Sequence, residues 1–421
     1  MGESRSWPRL AVLGIGYAGL PLAVAAAAIG YRTWGVDTDP RVVAQVNDGI
    51  SHVDTVGDGE LTAVRERLTA TTDPACLSQC SVIVICVPTP VDADGQPNLT
   101  ALTAAAVAVR DALRPGQLVI VESTTYPGTT DGHVRGLLEE SGLRAGVDFS
   151  LAYSPERVDP GNPVYRLGNT PKLVGGLTPV CRDRATAFYS RFVQHVHPTP
   201  GTREAEAAKI FENTYRQVNI ALVNEFARFC HAVDIDVWET LRAVETKPFG
   251  FSGFRPSAGV GGHCIPVDPL YLVHRAHEVG LNFHMAETAQ SVNEAMPGWV
   301  AERAAAQLAA DGTAPRDARV LLLGATYKRD VADARNAPCV ELASRLRTMG
   351  TDVAFHDPHI CTLVIDGVTL HRAPDVDEAV RVADLVVVVQ HHKEYGDDLL
   401  GRARRIFYTS EPAELPNGVS L

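Results

Sequence analysis

The chain has 421 residues, 45% apolar and 21% charged, which excludes wholesale disorder and, at about 150 residues per domain, suggests two to three domains. Thirty-eight basic against fifty acidic side chains leave a formal charge of −12. Such a chain does not bind nucleic acid through its overall field, although a local pocket can still hold an anion. Eight cysteines without a CxxC spacing exclude a disulfide scaffold and point to a reducing, cytoplasmic setting. Cys76 and Cys80 lie four apart on an expected helix with no His or Cys pair nearby, so no metal site is expected.

Residues 10–31 carry no charge and follow Arg5 and Arg9, so they imitate a signal peptide or a membrane span. Gly14, Gly16, Gly19 and Pro21 break that run, and a strand pattern resumes at Tyr31. Neither targeting nor membrane association is expected.

The spacing predicts a strand at 10–14, a helix at 20–29 and a strand at 33–36 that ends at Asp37. SVIVICV (81–87) and 117–121 read as buried parallel strands, with a crossover helix at 102–113 between them. Residues 150–153 and 172–174 extend that sheet. A helix without glycine or proline fills 203–232, with Ala208, Phe211, Tyr215, Val218 and Leu222 on one apolar face. A Gly/Pro-dense loop at 247–269 and more helix to about 308 come next. The βα pattern then restarts, with strands at 319–323, 352–355 and 384–389 and a helix at 338–349. The expected fold is α/β: two Rossmann-like doubly wound parallel-sheet domains joined by a long central helix and helical connector. The expected divisions are 1–202, 203–310 and 311–421.

GIGYAG places Gly14, Gly16 and Gly19 between a strand and a helix, with Asp37 ending the next strand. The first glycine allows the tight turn, the second lets the backbone approach a pyrophosphate, and the third permits helix–strand packing. A carboxylate at Asp37 suits a ribose diol and repels a 2′-phosphate, which favours NAD over NADP.

VGGHCIPVDP sets Cys264 among Gly259, Gly261, Gly262, Pro266 and Pro269, with Asp268 four residues later. No apolar run surrounds this cysteine, unlike the buried hydrophobes expected of Cys86, Cys181, Cys230, Cys339 and Cys361. Mobile, close-approaching backbone suits a nucleophile that must reach a bound carbonyl. His263 is its neighbour and has no assigned role. Lys209 and Asn213, four apart, share a helical face beside Ile210, Phe211 and Tyr215. Such a pair is either snorkelling and solvated, or it holds a developing alkoxide by charge and hydrogen bond.

GIGYAG (14–19), VPTP (87–90), ESTTYPGTT (122–130), YSPER (153–157), AKIFEN (208–213), GVGGHCIPVDP (259–269) and GATYKRDVADAR (324–335) run in a familiar order. Over nearly its whole length the chain resembles the UDP-glucose/GDP-mannose dehydrogenase family. KPFGF (247–251) with GGHCIPVDP resembles most the branch acting on UDP-N-acetylglucosamine or close acetamido sugars. The resemblance implies an enzyme that oxidises a nucleotide-sugar C6 alcohol to a carboxylate with two NAD+ in succession. It implies Cys264 as nucleophile, Lys209, Asn213 and Asp268 acting on the alcohol, and Glu156 and Thr124 orienting water. Tyr17, Asp37, Thr89, Thr124 and Arg335 match cofactor positions alongside the three glycines. Glu156, Arg157, Lys209, Asn213, Phe249, Arg255, Gly261 and Lys328 match positions on the UDP-sugar. A homodimer paired through the long helix is implied as well.

Two positions depart from the pattern. Many members carry lysine three residues after the cysteine, where Val267 stands here, as in the acetamido branch. Arg255 replaces the residue expected in that branch's loop. UDP-glucose oxidation is the nearest alternative, and a two-electron hydroxyacid-type NAD dehydrogenase is the alternative of a different class.

Overall fold

The computed structural model describes residues 8–92, 94–159, 161–413 and 415–421. Arg5, invoked above for the signal-like start, lies outside them. The chain divides into two compact units, one of residues 1–212 with 270–281, the other of 213–269 with 282–421.

The first unit is built on β1 (Arg9–Leu13), β2 (Arg32–Val36), β3 (Leu68–Thr71), β4 (Val82–Ile85), β5 (Leu118–Val121), β6 (Ser150–Tyr153), β7 (Lys172–Gly176) and β8 (Val196–Pro198). They lie in the order β3-β2-β1-β4-β5-β6-β7-β8. Alternation explains why the strands read as continuous apolar runs. Leu10, Val12, Val84 and Ile120 enter one core, while Ala11, Leu13, Ile85 and Val121 enter the other. A sheet covered on both faces needs apolar side chains at every position. Order reverses between β1 and β4, and the crevice at the carboxyl ends of such strands is where ligands bind in doubly wound sheets.

The second unit carries a smaller parallel sheet of β9 (Arg319–Leu323), β10 (Asp352–His356), β13 (Leu385–Val388), β14 (Ile406–Tyr408) and β15 (Gly418–Ser420), ordered β10-β9-β13-β14-β15. Its strands divide their side chains in the same way, with Val320 and Leu322 on one face and Leu321 and Leu323 on the other.

The two parallel sheets agree with the expected α/β class, and several particulars differ. The first sheet is mixed, because β7 returns antiparallel to β6. A separate antiparallel hairpin, β11 (Thr362–Ile365) and β12 (Val368–His371), turns at Asp366 and Gly367, both at positive φ. Cys76 and Cys80 are not on an α-helix. Pro74–Gln79 is a 3₁₀ helix and Cys80 ends it, since only two residues separate Gln79 from β4. Cys361 is exposed rather than buried. Among the described residues, no helix is long and apolar enough to cross a membrane.

The long helix Thr202–Ala232 differs most from expectation. Its apolar stripe faces outward, with Phe211 and Leu222 each 62% exposed. The buried face mixes Ala205, Ile210, Ala221, Val223 and Ala227 with Glu206, Lys209, Asn213, Thr214, Gln217 and Asn224. Buried polar groups are costly unless they are paired or used, so this many on one helix face call for partners or a role.

Backbone contact enforces the glycine turn. A Cβ on Gly14 (φ +82°) would stand 2.7 Å from the Cys86 carbonyl oxygen, and one on Gly19 would stand 1.9 Å from the Gly14 carbonyl oxygen. Gly19→Ala should therefore cost about 1–3 kcal/mol, measured as a lower urea midpoint at unchanged m.

Candidate active site

In the first unit the turn after β1 fits a dinucleotide. Gly16 has no atom within 4 Å of the place a Cβ would take, so the backbone there is open to a close-approaching phosphate. The helix Gly19–Ala28 follows directly, and a helix N-terminus favours an anion. Asp37 ties the turn together. Its carboxylate accepts from the Ile15 amide at 3.1 Å and from the Asp39 amide at 3.0 Å. A carboxylate has about four acceptor sites, so capacity remains for ribose hydroxyls. Asp37→Asn is expected to raise KM for NAD about tenfold and to narrow the preference over NADP, read from initial rates with each cofactor.

Thr89 belongs to a segment fixed by Tyr271, whose hydroxyl donates to the Thr89 and Pro90 carbonyls at 3.0 and 3.1 Å. Thr124 follows β5 and is half-buried. Next to it, Thr125 donates to Glu206 at 3.3 Å, and the Gly128 and Thr130 amides donate to the same carboxylate at 2.7 and 2.8 Å. Glu206 thus clamps the loop carrying Thr124 onto the long helix.

Burial pushes the Glu206 carboxyl from 4.5 up to about 7, against the pull of Thr130 and of the Gly128 and Thr130 amides. A carboxyl raised in the folded state binds more protons there than when unfolded. Its contribution is therefore full below pH 4.5 and is lost as pH rises toward 7. Unfolding followed from pH 4 to 8 should show that downward slope in the wild type and a flatter one in Glu206→Gln.

Glu156 follows β6, where its Oε1 accepts from the Arg157 and Val158 amides at 2.7 and 2.6 Å. Arg157 forks onto Glu212, with Nη2 at 2.5 Å and Nε at 3.2 Å. Lys209, one turn before Asn213 on the long helix, is 9% exposed and makes no ion pair or hydrogen bond among the described residues. It is neither solvated nor snorkelling.

In the second unit Asn213 Nδ2 donates to Asp268 Oδ2 at 2.5 Å, and both residues are buried. Asp268 begins the helix Asp268–Glu278, and its amide donates to the Cys264 carbonyl at 2.8 Å. Cys264 is therefore held one turn ahead of the carboxylate while remaining half-exposed. Gly262 (φ +82°) donates its amide to the Arg335 carbonyl at 2.9 Å. A Cβ on Gly261 would stand 2.6 Å from Tyr327 Cβ and 2.8 Å from the Asn336 carbonyl, so the loop lies tight against 327–336. Close backbone packing, not open space, is what requires glycine at 261.

Arg335 forks onto Asp333, with Nε at 2.9 Å and Nη2 at 2.5 Å. Burial would raise Asp333, and the guanidinium outweighs it and holds the carboxyl below its ordinary range. Lys328 is half-buried on a turn pinned at both ends. The Ala325 and Thr326 amides donate to Asp357 at 2.7 and 3.1 Å, and the Asp330 amide donates to His392 Nδ1 at 2.9 Å. His359 comes close enough for Asp330, His359 and His392 to offer ligand atoms within 4.8 Å of one another. Both His392 nitrogens are engaged, however, since Nε2 lies 3.0 Å from Asp357. Phe249 is 69% exposed, and Arg255 is held by Glu245 at 2.5 and 2.8 Å.

Sequence reasoning missed Glu206, Glu122 and Lys172. A signal for the first was present. Positions 206, 209, 213, 217 and 224 form a polar stripe at helical spacing along the long helix.

A doubly wound sheet whose glycine turn is shaped for a nicotinamide dinucleotide defines an NAD-dependent dehydrogenase. The chain belongs to the UDP-glucose/GDP-mannose dehydrogenase family: the family's NAD binding domain matches residues 8–193, its central domain 203–295 and its UDP binding domain 321–410. It is thus an oxidoreductase acting on nucleotide sugars with NAD. It is 34% identical to a UDP-N-acetyl-D-mannosamine dehydrogenase of Pyrococcus horikoshii over 92% of this chain and 90% of that one. It is 37% identical to a UDP-N-acetyl-D-glucosamine 6-dehydrogenase of Pseudomonas aeruginosa over 84% and 83% respectively. The solved structure of a UDP-D-ManNAc dehydrogenase from Pyrococcus horikoshii superposes with a TM-score of 0.88 at 33% identity, covering 98% of each chain.

Proposed function

We propose that the protein oxidises the C6 alcohol of UDP-N-acetylglucosamine to the uronic acid, a four-electron reaction that passes through a covalent bond to Cys264. NAD+, when bound, accepts the hydride in each oxidation; Gly14, Gly16, Tyr17, Gly19, Asp37, Thr89, Thr124 and Arg335 are the residues assigned to hold it. In the first oxidation Asp268, through a water, takes the hydroxyl proton. Lys209 and Asn213 hold the oxygen as its charge develops. The Cys264 thiolate then adds to the aldehyde carbon to give a thiohemiacetal, and loss of a hydride from that carbon leaves a thioester. Water oriented by Glu156 and Thr124 attacks the thioester carbonyl. The C–S bond breaks, the thiol is restored and the acid departs. Arg157, Phe249, Arg255, Gly261 and Lys328 are assigned to the nucleotide sugar, with Lys328 as a point charge for phosphate.

The observation that carries this reading is the Asn213–Asp268 hydrogen bond of 2.5 Å, set one turn from Cys264. A hydroxyacid-type dehydrogenase needs no such cysteine. The KPFGF loop supports N-acetylglucosamine. The 34% identity to the mannosamine enzyme supports UDP-N-acetylmannosamine as a second reading, and UDP-glucose is a third. Turnover with NAD+ across these three nucleotide sugars decides. The highest kcat/KM should fall on UDP-N-acetylglucosamine, and a tenfold preference for either other sugar overturns that choice.

A cytoplasmic homodimer paired through the exposed stripe of Phe211, Tyr215 and Leu222 completes the proposal. The expected divisions 1–202, 203–310 and 311–421 stand as the proposed functional segments.

A further inference from the structure

A buried ionic cluster lies behind Glu156, at the carboxyl ends of the strands in the first unit. Cys86 follows β4, Glu122 follows β5, Glu156 follows β6, and Lys172 opens β7. Because β7 runs antiparallel to β6, its first residue lies at the same edge as the last residues of its neighbours. Lys172 and Glu122 are both buried, and their ion pair measures 3.0 Å. The Lys172 ammonium also lies 3.3 Å from the Pro155 carbonyl, 4.0 Å from Glu156 Oε2 and 4.9 Å from the centre of the Tyr189 ring. Tyr189 donates its hydroxyl to Glu122, and the Cys86 thiol faces the same carboxylate at 3.8 Å.

We propose that Lys172, held by Glu122 and Tyr189, is a positioning residue that keeps Glu156 charged and fixed in one orientation for the hydrolytic step. The inference rests on the proposed role of Glu156 in the preceding section. The geometry divides the work between the two oxygens. Oε1 is committed to the Arg157 and Val158 amides, and the ammonium faces Oε2. Apart from the half-turn that exchanges its equivalent oxygens, rotating the carboxylate loses at least one of these three contacts.

Burial would discharge Lys172, and the facing Glu122 and Glu156 more than reverse this, so the ammonium persists. The groups facing Glu156 are then one cation (Lys172), one anion (Glu122) and one neutral thiol (Cys86), while the neutral Tyr189 hydroxyl turns to Glu122. Arg157, beside it in sequence, is neutralised by Glu212. A base that removes a proton from water as the C–O bond forms and the thiolate leaves must be ionised at working pH, and the lysine supplies that bias.

The test is the pH dependence of acid formation starting from the C6 aldehyde of the nucleotide sugar, which isolates the second half of the reaction. In Lys172→Met combined with Glu122→Gln no buried charge is orphaned. Its acid limb is expected to move up by about one unit, a roughly tenfold loss below the limb, with KM for the sugar within about twofold. Lys172→Arg should restore the limb. Glu122→Gln alone should move it the other way, because the lysine then faces Glu156 undivided; this variant decides the matter should the double one fail to fold. Coincident limbs in all variants would overturn the assignment of Lys172. The parent reading is checked separately on the wild type: if it releases one NADH per sugar, the thioester route itself is wrong and the role of Glu156 falls with it.

Discussion

Cys264→Ser is expected to abolish uronic acid formation by at least about a thousandfold, while hydride still leaves the alcohol and the aldehyde accumulates or escapes. A serine hydroxyl in the same loop is a far weaker nucleophile at neutral pH. Three of the other thiols are unsuited to take over. Burial pushes the Cys80 and Cys339 thiols up to about 12, and the Cys86 thiol is driven well above its ordinary range by burial and then by Glu122. The thiolate is the reactive form, so those three stay inert. The readouts are NADH release and aldehyde trapping with semicarbazide. Acid formation at the wild-type rate would remove the cysteine from the mechanism.

Lys209→Met should lower kcat about 10²–10³-fold with a smaller effect on KM, since its charge matters most when the alcohol oxygen becomes anionic. The same variant should be at least as stable as the wild type. A lysine 9% exposed and without a partner among the described residues is an uncompensated buried cation, and an apolar chain of similar length removes that cost. Unchanged kcat, or a clear fall in melting temperature, would show that Lys209 serves the fold rather than the reaction.

The strands were legible where both faces of a sheet are covered. SVIVICV and RVLLL read as strands buried on both faces, and β4 and β9 fall within those runs. β3 escaped notice because LTAT is short and half threonine, an edge strand with only one face to bury. The helix Pro40–Asn47 escaped notice as well, although Val42, Val43 and Val46 recur at helical spacing, Asp39 caps it and Pro40 opens it.

The long helix was found at its true length, and its faces were assigned by the apolar stripe alone. Here the rule that apolar residues face inward holds only in part, because Glu206, Lys209 and Asn213 are buried beside Ala205 and Ile210 while Phe211 and Leu222 are left outside. The glycine turn, the cysteine loop and the lysine–asparagine pair stood out in the sequence because their spacing is distinctive. Glu122 and Lys172 could not, because each looks like an ordinary strand-end charge until the antiparallel return of β7 brings the two together.

The most direct test of the account is the ratio of NADH released to uronic acid formed by the wild-type enzyme under single-substrate, excess-NAD+ conditions. A covalently retained aldehyde oxidised a second time gives a ratio of two, with no free aldehyde. One NADH per sugar oxidised, with aldehyde as the final product and no uronic acid, would contradict it.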